Sequence, residues 1–264
     1  MVLRFCERPS KVGHINGWKS RPERPGVVED GKWQPTLKGS EQGNLASPVI
    51  ANINMHYSLA LWFDTVFKKE CRGETGLVIY ADDFVATFQY ESDAHKFLAA
   101  VKERFALFGL ELEPTKTRLV EFGRFAEQDR KGRGQGKPET FDFLGFTHYC
   151  SKNRNGKFRV KRKTAGKKLS SKLKEMNLWM KNNRHLRLKD LFFQLNLKLR
   201  GHYQYYGITD NSPSLAKFAD RTSQLLYKWL NRRSQKRSYT WEGFNQLRKI
   251  FPLAKPRIYV NIYQ

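Results

Sequence analysis

The sequence lacks the features of an oxidising compartment or a membrane. Its three cysteines among 264 residues, Cys6, Cys71 and Cys150, lie far apart and form no CxxC pair, which argues against a disulfide framework and a zinc knuckle. No apolar run reaches membrane-spanning length. The apolar run at the start of the chain is too short for a secretory signal. We therefore expect a cytoplasmic protein with no membrane partner.

Acidic residues are scarce in the C-terminal part of the chain. Residues 151–264 hold 28 Lys/Arg and 5 Asp/Glu, a net charge of +23, whereas residues 1–150 hold 21 and 20, a net charge of +1. Tyrosine and tryptophan are interleaved with these basic residues, which is typical of a nucleic-acid partner. A solvated lysine-rich surface and affinity for anionic lipid are the alternatives.

The pattern of apolar residues predicts an α+β fold rather than a doubly wound parallel sheet. Four prolines within residues 1–38 break any long helix, so we expect that segment to be irregular apart from a short strand around Val27-Val28. Residues 123–140 are rich in glycine and charge and indicate a loop or linker. The expected helices are 47–67, 92–108, 166–183, 188–206, 214–231 and 241–250, with Ser92 as the cap of the second. The expected strands are 76–80, 84–88, 110–112, 117–122, 141–146, 158–160 and 257–263.

Two adjacent carboxylates, Asp82 and Asp83, separate two short runs of β-branched and aromatic residues. The runs predict a β-hairpin with both carboxylates at its turn. Burying two such charges is costly unless a cation compensates them, and Mg²⁺ prefers carboxylate oxygen. A solvated Asp-Asp turn is the plain alternative.

A glycine-containing loop, Gly39-Ser-Glu-Gln-Gly43, lies shortly before the Ser47-Pro48 dipeptide that predicts a helix start. Glycines allow a ligand to approach the backbone closely, and a helix N-terminus favours phosphate. An ordinary glycine turn before a helix is the commoner case.

In their order along the chain, these motifs resemble those of bacterial group II intron reverse transcriptases. The matching segments are Gly39-Ser-Glu-Gln-Gly-Asn-Leu-Ala-Ser-Pro48, Tyr80-Ala-Asp-Asp-Phe84, Gly109-Leu-Glu-Leu112 with Lys116-Thr117, and Phe143-Leu-Gly-Phe146. Two further segments resemble the thumb or maturase domain of that family: Leu199-Arg-Gly-His-Tyr-Gln-Tyr-Tyr-Gly207 and Lys228-Trp-Leu-Asn-Arg-Arg233. The resemblance covers roughly residues 26–264.

The resemblance implies a partial palm with an antiparallel sheet over residues 39–163 and a basic helical thumb/maturase domain over 164–264. Residues 1–38 would then be an N-terminal segment of which 1–25 match nothing in the family. The implied activity is RNA-directed DNA synthesis together with intron maturase function. The implied partners are group II intron RNA, template RNA with primer DNA, and dNTPs, in a nucleoid-associated bacterial ribonucleoprotein.

The resemblance also implies roles for individual residues. Asp82 and Asp83 would hold catalytic Mg²⁺, two ions in the complete enzyme. Lys116 would neutralise or protonate pyrophosphate. An ordinary surface lysine is an equally good interpretation of this residue from the sequence. The residues implied in nucleotide binding are Gln42, Gly43, Tyr80 and Ala81. Those implied in the primer grip are Phe143, Leu144 and Gly145, with a plain core role open for Phe143.

The basic helical region would hold the template–primer duplex and the intron RNA through their phosphates, with binding that weakens in salt. We expect RNA contacts at Lys161, Arg162, Lys163, Lys167, Lys168, Arg200, Tyr203, Arg232 and Arg233.

The chain departs from the family pattern upstream of Gly39. We find neither the fingers region nor the third catalytic carboxylate there. A second departure lies in the nucleotide loop itself, where Glu41 adds negative charge. We therefore expect polymerase activity to be incomplete in this chain, with a complementing N-terminal fragment as a candidate partner. The alternatives are a non-catalytic RNA-binding maturase or splicing cofactor, and an inactive fragment.

Overall fold

The computed structural model describes residues 2–8, 26–29, 32–35, 47–234 and 238–263. The strands are β1 (Val2–Arg8), β2 (Gly26–Glu29), β3 (Lys32–Pro35), β4 (Thr75–Tyr80), β5 (Asp83–Phe88), β6 (Glu111–Leu112), β7 (Arg118–Val120), β8 (Phe141–Phe143), β9 (Phe146–Lys152) and β10 (Phe158–Thr164). The helices are α1 (Ser47–Met55), α2 (Lys68–Glu70), α3 (Glu91–Leu107), α4 (Ala126–Gly132), α5 (Gly166–Asn183), α6 (Leu188–Tyr206), α7 (Ser212–Leu230) and α8 (Trp241–Ile250). The α+β prediction is confirmed.

The chain forms two compact units, Met1–Glu139 and Thr140–Gln264. In the first unit, β1 pairs antiparallel with β5 on one side and with both β6 and β7 on the other, and β4 pairs with the outer edge of β5. The register places Cys6 opposite Asp83. The β4–β5 hairpin is therefore joined to a wider antiparallel sheet, which fixes the position of its turn.

The core of the first unit lies between one face of the β4–β5 hairpin and α3. Alternate residues of β5 point into this core, and Phe84 is fully buried there. Its ring centroid lies 6.5 Å from that of Phe97 and 6.0 Å from that of Phe105, both on α3. Burial of side chains this large contributes about 1.5–3 kcal/mol each.

A helical segment from Ser47 to Glu70 completes the first unit. It begins as α1 at the predicted Ser47-Pro48 start and ends as α2, with two π-helical turns, His56–Ala60 and Phe63–Phe67, between them. One side buries Leu59, Phe63 and Phe67 in the same core. The other side exposes apolar residues: Val49, Ile50, Ile53, Tyr57 and Leu61.

The second unit packs α5, α6, α7 and α8 around a core to which α6 and α7 supply apolar residues at helical spacing. Leu195 and Leu199 of α6 and Leu215 and Phe218 of α7 are each at most 1% exposed. The three-stranded antiparallel sheet β8–β9–β10 belongs to this unit as well. The predicted bounds of α5, α6 and α8 are those of the structure.

The palm/thumb boundary predicted at 163/164 stays a prediction, whereas the two compact units divide at 139/140. The reason is that the β9–β10 sheet is hydrogen-bonded into the helices. The buried amide of Asn211 accepts a hydrogen bond from the Thr164 backbone N–H at 2.7 Å and donates one to the Tyr206 carbonyl oxygen at 2.8 Å. The Ala165 N–H donates to the Gly145 carbonyl oxygen at 2.9 Å.

Segment 1–38 is not irregular throughout, because β1, β2 and β3 lie within it. The short strand expected at Val27-Val28 is confirmed as β2. It pairs with β3 in a register that places Glu29 opposite Lys32. In the sequence, the dipeptide Asp30-Gly31 separates these two residues. Asp-Gly is a strong hairpin signal that the density of prolines obscured.

Three further expectations were wrong. The stretch 123–140 contains α4, whose first turn carries acidic and whose last turn carries basic residues, as a helix dipole favours. The N-cap of α3 is Tyr90, because Ser92 lies inside the helix. The tail 257–263 is not a strand and forms a single bridge, from Val260 to Ile208. None of the described helices combines the length and hydropathy that crossing a bilayer requires.

Candidate catalytic hairpin and nucleic-acid surface

The turn of the β4–β5 hairpin consists of Ala81 and Asp82, and the register pairs Tyr80 with Asp83 across it. Ala81 has φ 51°. A positive φ costs about 1–2 kcal/mol for a residue with a Cβ. Such strain persists where the surrounding structure enforces it and is common at functional sites. Here the pairing of β5 with both β4 and β1 is what enforces it.

The two carboxylates lie in different surroundings. Asp82 is exposed at the turn, whereas Asp83 is half-buried at the start of β5. The Oδ1 atom of Asp83 is buried and has no hydrogen-bond partner among the described residues. An unpaired buried acceptor costs about 1–3 kcal/mol, and a bound cation would remove that cost.

The donor set at this turn fits Mg²⁺. The hairpin supplies two carboxylates. Within the described ranges, no third His, Cys, Asp or Glu joins them in a group that could hold a metal ion. Mg²⁺ is commonly held by one or two carboxylates and takes its remaining ligands from water and substrate phosphates. Asp82 and Asp83 suit that mode of binding.

The predicted catalytic Lys116 is exposed in the turn between β6 and β7. The carboxylate of Glu113, which is 3% exposed, accepts a hydrogen bond from the Thr115 hydroxyl at 2.8 Å, and the Glu113 carbonyl oxygen accepts one from the Lys116 N–H at 3.1 Å. β6 and β7 pair with β1 on the side opposite β5. The register places this turn beside Phe5 and Cys6 of β1 and places Asp83 opposite Cys6, so the two backbones lie on opposite sides of β1, about two strand spacings or about 10 Å apart.

The predicted nucleotide-binding residues divide into two groups. Tyr80, whose side chain is 63% exposed, and Ala81 lie at the hairpin beside the carboxylates. Tyr80 shares a face of the hairpin with Asp83, because residues directly opposite in an antiparallel pair point to the same side. Gln42 and Gly43 lie outside the described residues.

The predicted primer-grip residues form a tight turn in the second unit. Leu144 and Gly145 have φ 49° and 80°, the pattern of a type I′ turn. The Tyr205 hydroxyl donates to the Leu144 carbonyl oxygen at 3.1 Å, and a Cβ at Gly145 would lie 3.1 Å from the Tyr206 hydroxyl. Phe143 is buried, in keeping with the core role left open for it, so the turn offers mainly Leu144 and Gly145.

Most of the predicted RNA contacts lie at the surface of the second unit. The exposed ones are Lys163, Lys167, Lys168, Arg200 and Arg232, and the half-buried ones are Lys161 and Arg162. Lys167 and Lys168 occupy the first turn of α5, where the N-cap side chain makes no capping hydrogen bond and no acidic residue is present. Two lysines at a positive helix end repel each other, and a phosphate would stabilise both.

Two of the predicted RNA-contact residues make structural contacts within the second unit. Tyr203 is 1% exposed, and burial raises the pKa of its hydroxyl to about 12. Its position four residues after Leu199 continues the apolar stripe of α6, which is why it lies in the core. The Arg233 guanidinium donates to the Leu186 carbonyl oxygen at 2.9 Å and holds the end of the α5–α6 connection.

Sequence reasoning missed a cavity of about 420 Å³ within the second unit. Its wall includes Lys172 and Trp179 of α5 and Lys198, Gly201 and His202 of α6. On each of the two helices these residues recur at helical spacing, and this spacing could have indicated that they share one face of the helix. The sequence did not show that the two faces meet.

Comparison with known proteins agrees with these features. Residues 15–148 match the family model described as reverse transcriptase (RNA-dependent DNA polymerase), and residues 167–246 match the model of the group II intron maturase-specific domain. The chain therefore belongs to the group II intron reverse transcriptase/maturase family, and the predicted resemblance is confirmed. This family generally uses Mg²⁺. The reverse transcriptase match begins at residue 15, within the stretch that sequence motifs left unmatched.

Among solved structures, telomerase from Candida albicans in complex with a fragment of telomeric RNA is similar to this chain. The sequence identity is 13% and the TM-score is 0.38. The alignment covers 95% of this chain, which spans 47% of the telomerase chain. A search of curated proteins finds no match.

Proposed function

We propose that this chain carries the catalytic hairpin of an RNA-directed DNA polymerase and the RNA-binding maturase region of a group II intron. The observation that carries the proposal is the hairpin turn, with Asp82 exposed and the Oδ1 atom of Asp83 buried without a partner among the described residues. A carboxylate held in this way is ready to bind a cation. Membership of the family supports Mg²⁺ as that cation and a 3′-hydroxyl as the attacking group.

Asp82 and Asp83 would hold Mg²⁺ at the turn. When bound, Mg²⁺ supplies Lewis acidity for nucleotidyl transfer, stabilising the attacking 3′-oxygen and the leaving pyrophosphate. Lys116, which is exposed in the turn on the other side of β1, would stabilise the charge that develops on pyrophosphate. Tyr80 lies on the same face as Asp83 and would contact the incoming dNTP.

The second unit would hold RNA through its phosphates. Residues 151–264 carry a net charge of +23, and the exposed lysines at the start of α5 lie beside backbone N–H groups without a side-chain cap. Each phosphate that a Lys or Arg neutralises releases counterions. Template RNA, primer DNA and intron RNA are the proposed partners, within a nucleoid-associated ribonucleoprotein of the bacterial cytoplasm.

A second function, RNA binding without DNA synthesis, is favoured by one specific observation. The described residues place no third His, Cys, Asp or Glu with the hairpin carboxylates. In that case the second unit would act as a splicing cofactor, and the hairpin would have no catalytic role.

Primer extension on an RNA template tests the first function. We expect weak Mg²⁺-dependent extension by the wild type, in keeping with the incomplete polymerase activity expected from the sequence. Asp83→Asn should lower it roughly 10³-fold or more, since losing a metal ligand removes several kcal/mol of transition-state stabilisation. Asp82→Asn should have a similar effect. The matched control is Asp64→Asn, which changes an exposed carboxylate of the same unit.

The same proteins separate the two functions. Salt-sensitive RNA binding by a wild type that does not extend a primer would support the maturase alone. Extension that persists at the wild-type rate in Asp83→Asn would refute the proposed role of the hairpin.

A further inference from the structure

Gly201 is a glycine within α6 that no described steric constraint explains. A Cβ built at this position meets no atom within 4 Å, and Gly201 lines the cavity of about 420 Å³. Glycine in a helix interior is less stable than alanine, so the missing side chain carries a cost with no packing benefit. Its effect is to leave open space where another molecule can approach the helix backbone.

His202, the next residue, contributes an unpaired polar atom at the same cavity. Its side chain is 9% exposed, and its ring stacks on that of Phe218 at a centroid distance of 3.6 Å. The Nε2 atom is buried and has no hydrogen-bond partner among the described residues. Burial, and secondarily the Lys172 ammonium, lowers the pKa of His202 to about 4, so the imidazole is neutral at pH 7.

The remaining wall combines aromatic rings with two lysines and the Glu175 carboxylate. Trp179 is half-buried, and the Nζ atom of Lys198 lies 5.1 Å from its ring centroid. Tyr205 is 57% exposed at the same cavity. The Lys172 ammonium is paired with the Glu175 carboxylate at 2.7 Å.

A nucleotide has the groups that this wall complements. Unpaired RNA bases stack on aromatic side chains and form hydrogen bonds through their exposed edges, while lysines contact the flanking phosphates. Bases taken out of a stack are bound in pockets built in this way. The cavity volume lies within the range of 300–1,000 Å³ that is typical of small-ligand sites.

We propose that the cavity between α5 and α6 binds one unpaired nucleotide of RNA, with the base against the space left by Gly201 and the edge of His202. The inference rests on the proposed RNA binding of the second unit and adds a specific contact to it. The unit would therefore distinguish an RNA with an extrahelical base from a fully paired one.

The test uses three RNA hairpins and fluorescence anisotropy with the full chain. One hairpin has a single bulged adenosine, the second has an abasic ribose at the bulge, and the third is fully paired. We expect the wild type to bind the bulged adenosine about tenfold more tightly than the abasic hairpin, as stacking of one base provides. Gly201→Leu fills the open space and should abolish this difference.

Two further variants make the result interpretable. Gln204→Leu adds a similar side chain at an exposed position of α6 outside the cavity and should keep the tenfold difference. Gly201→Ala adds a methyl group that meets no atom within 4 Å, so it should fold at least as well as the wild type and reduce the difference in part. If thermal melting shows that Gly201→Leu does not fold, Gly201→Ala is used in its place.

Two results overturn the inference alone, provided that the fully paired hairpin is still bound. One is equal affinity of the wild type for the bulged and abasic hairpins. The other is an undiminished difference in a folded Gly201→Leu. Absence of binding to all three hairpins overturns the proposed RNA binding and, with it, the inference.

Discussion

The two units bury aromatic cores of similar kind but present opposite chemistry at their surfaces. In the first unit, Phe84 and the rings of α3 support a hairpin whose turn carries two carboxylates. In the second, Leu195 and Phe218 support helices whose surface is strongly basic. The core of each unit sets its shape, whereas the proposed metal site and the proposed RNA-binding surface each depend on a few polar residues at the surface.

This division has an electrostatic reason. Residues 1–150 have a net charge of only +1, so this part of the chain has no large excess of positive charge that would repel Mg²⁺. A surface that binds RNA through phosphates depends on excess positive charge, and residues 151–264 have it. We expect a substitution in one unit to leave the stability of the other unit unchanged, because each unit has a hydrophobic core of its own.

The largest effect is expected from removing a core ring of the hairpin. Phe84→Ala should lower the free energy of unfolding of the first unit by about 3–5 kcal/mol, because a buried phenyl ring is lost and a cavity remains. Hydrogen exchange followed by mass spectrometry reports the units separately, and protection should fall in β4, β5 and α3 only. The control Phe125→Ala removes a side chain that is 63% exposed and should change stability by less than about 0.5 kcal/mol. An equal loss of protection in both units would show that they do not fold separately.

A smaller effect is expected from acid on the second unit. Burial and nearby cations lower the pKa of both His202 and His148 to about 4 from the ordinary 6.5. Between pH 6.5 and pH 4 the unfolded state binds these protons and the folded state does not, so stability falls as the pH falls. Each histidine contributes about 2–3 kcal/mol to this loss.

His202→Phe keeps an aromatic ring that cannot titrate and should remove about half of the pH dependence. Urea denaturation between pH 4 and pH 7 measures it. His185→Gln, which changes an exposed histidine of the same unit, is the control and should leave the pH dependence unchanged. An unaltered pH dependence in His202→Phe would mean that His202 is protonated without cost in the folded protein.

The smallest effect concerns the start of α5. The double variant Lys167→Gln/Lys168→Gln should weaken RNA binding modestly and reduce the slope of log K against log salt by about 1.4–1.8, as expected for two lost phosphate contacts. Anisotropy titrations over a salt series measure the slope. The matched pair Lys96→Gln/Lys102→Gln removes two exposed lysines of α3 in the first unit and should leave the slope as it is. Equal slopes for the two pairs would place the RNA elsewhere.

Much of the fold could be predicted from local patterns. The hairpin at Asp82-Asp83 and the helices α5, α6 and α8 follow from apolar spacing and turn residues. The helix α4 was missed because glycines surround it. The division into compact units at 139/140 could not be predicted, because it depends on contacts such as that between Thr164 and Asn211, 47 residues apart, which no local pattern encodes.

The site was predictable to a similar extent. Motif order led to Asp82, Asp83 and Lys116, and the strand register places Asp83 and the turn that contains Lys116 on opposite sides of β1. Tyr203 was assigned to RNA by its motif, although its spacing from Leu199 already indicated the core. The cavity beside Gly201 could not be predicted, because it exists only where faces of separate helices meet.

Binding of Mn²⁺ as a substitute for Mg²⁺ is the most direct test of the central claim that the hairpin holds a divalent cation. Electron paramagnetic resonance measures the free ion in the presence of an RNA–DNA primer–template and a dNTP. We expect the wild type to bind the ion and Asp83→Asn to bind it roughly tenfold or more weakly, because a ligand is lost. Equal Mn²⁺ affinity for the wild type and Asp83→Asn would contradict it.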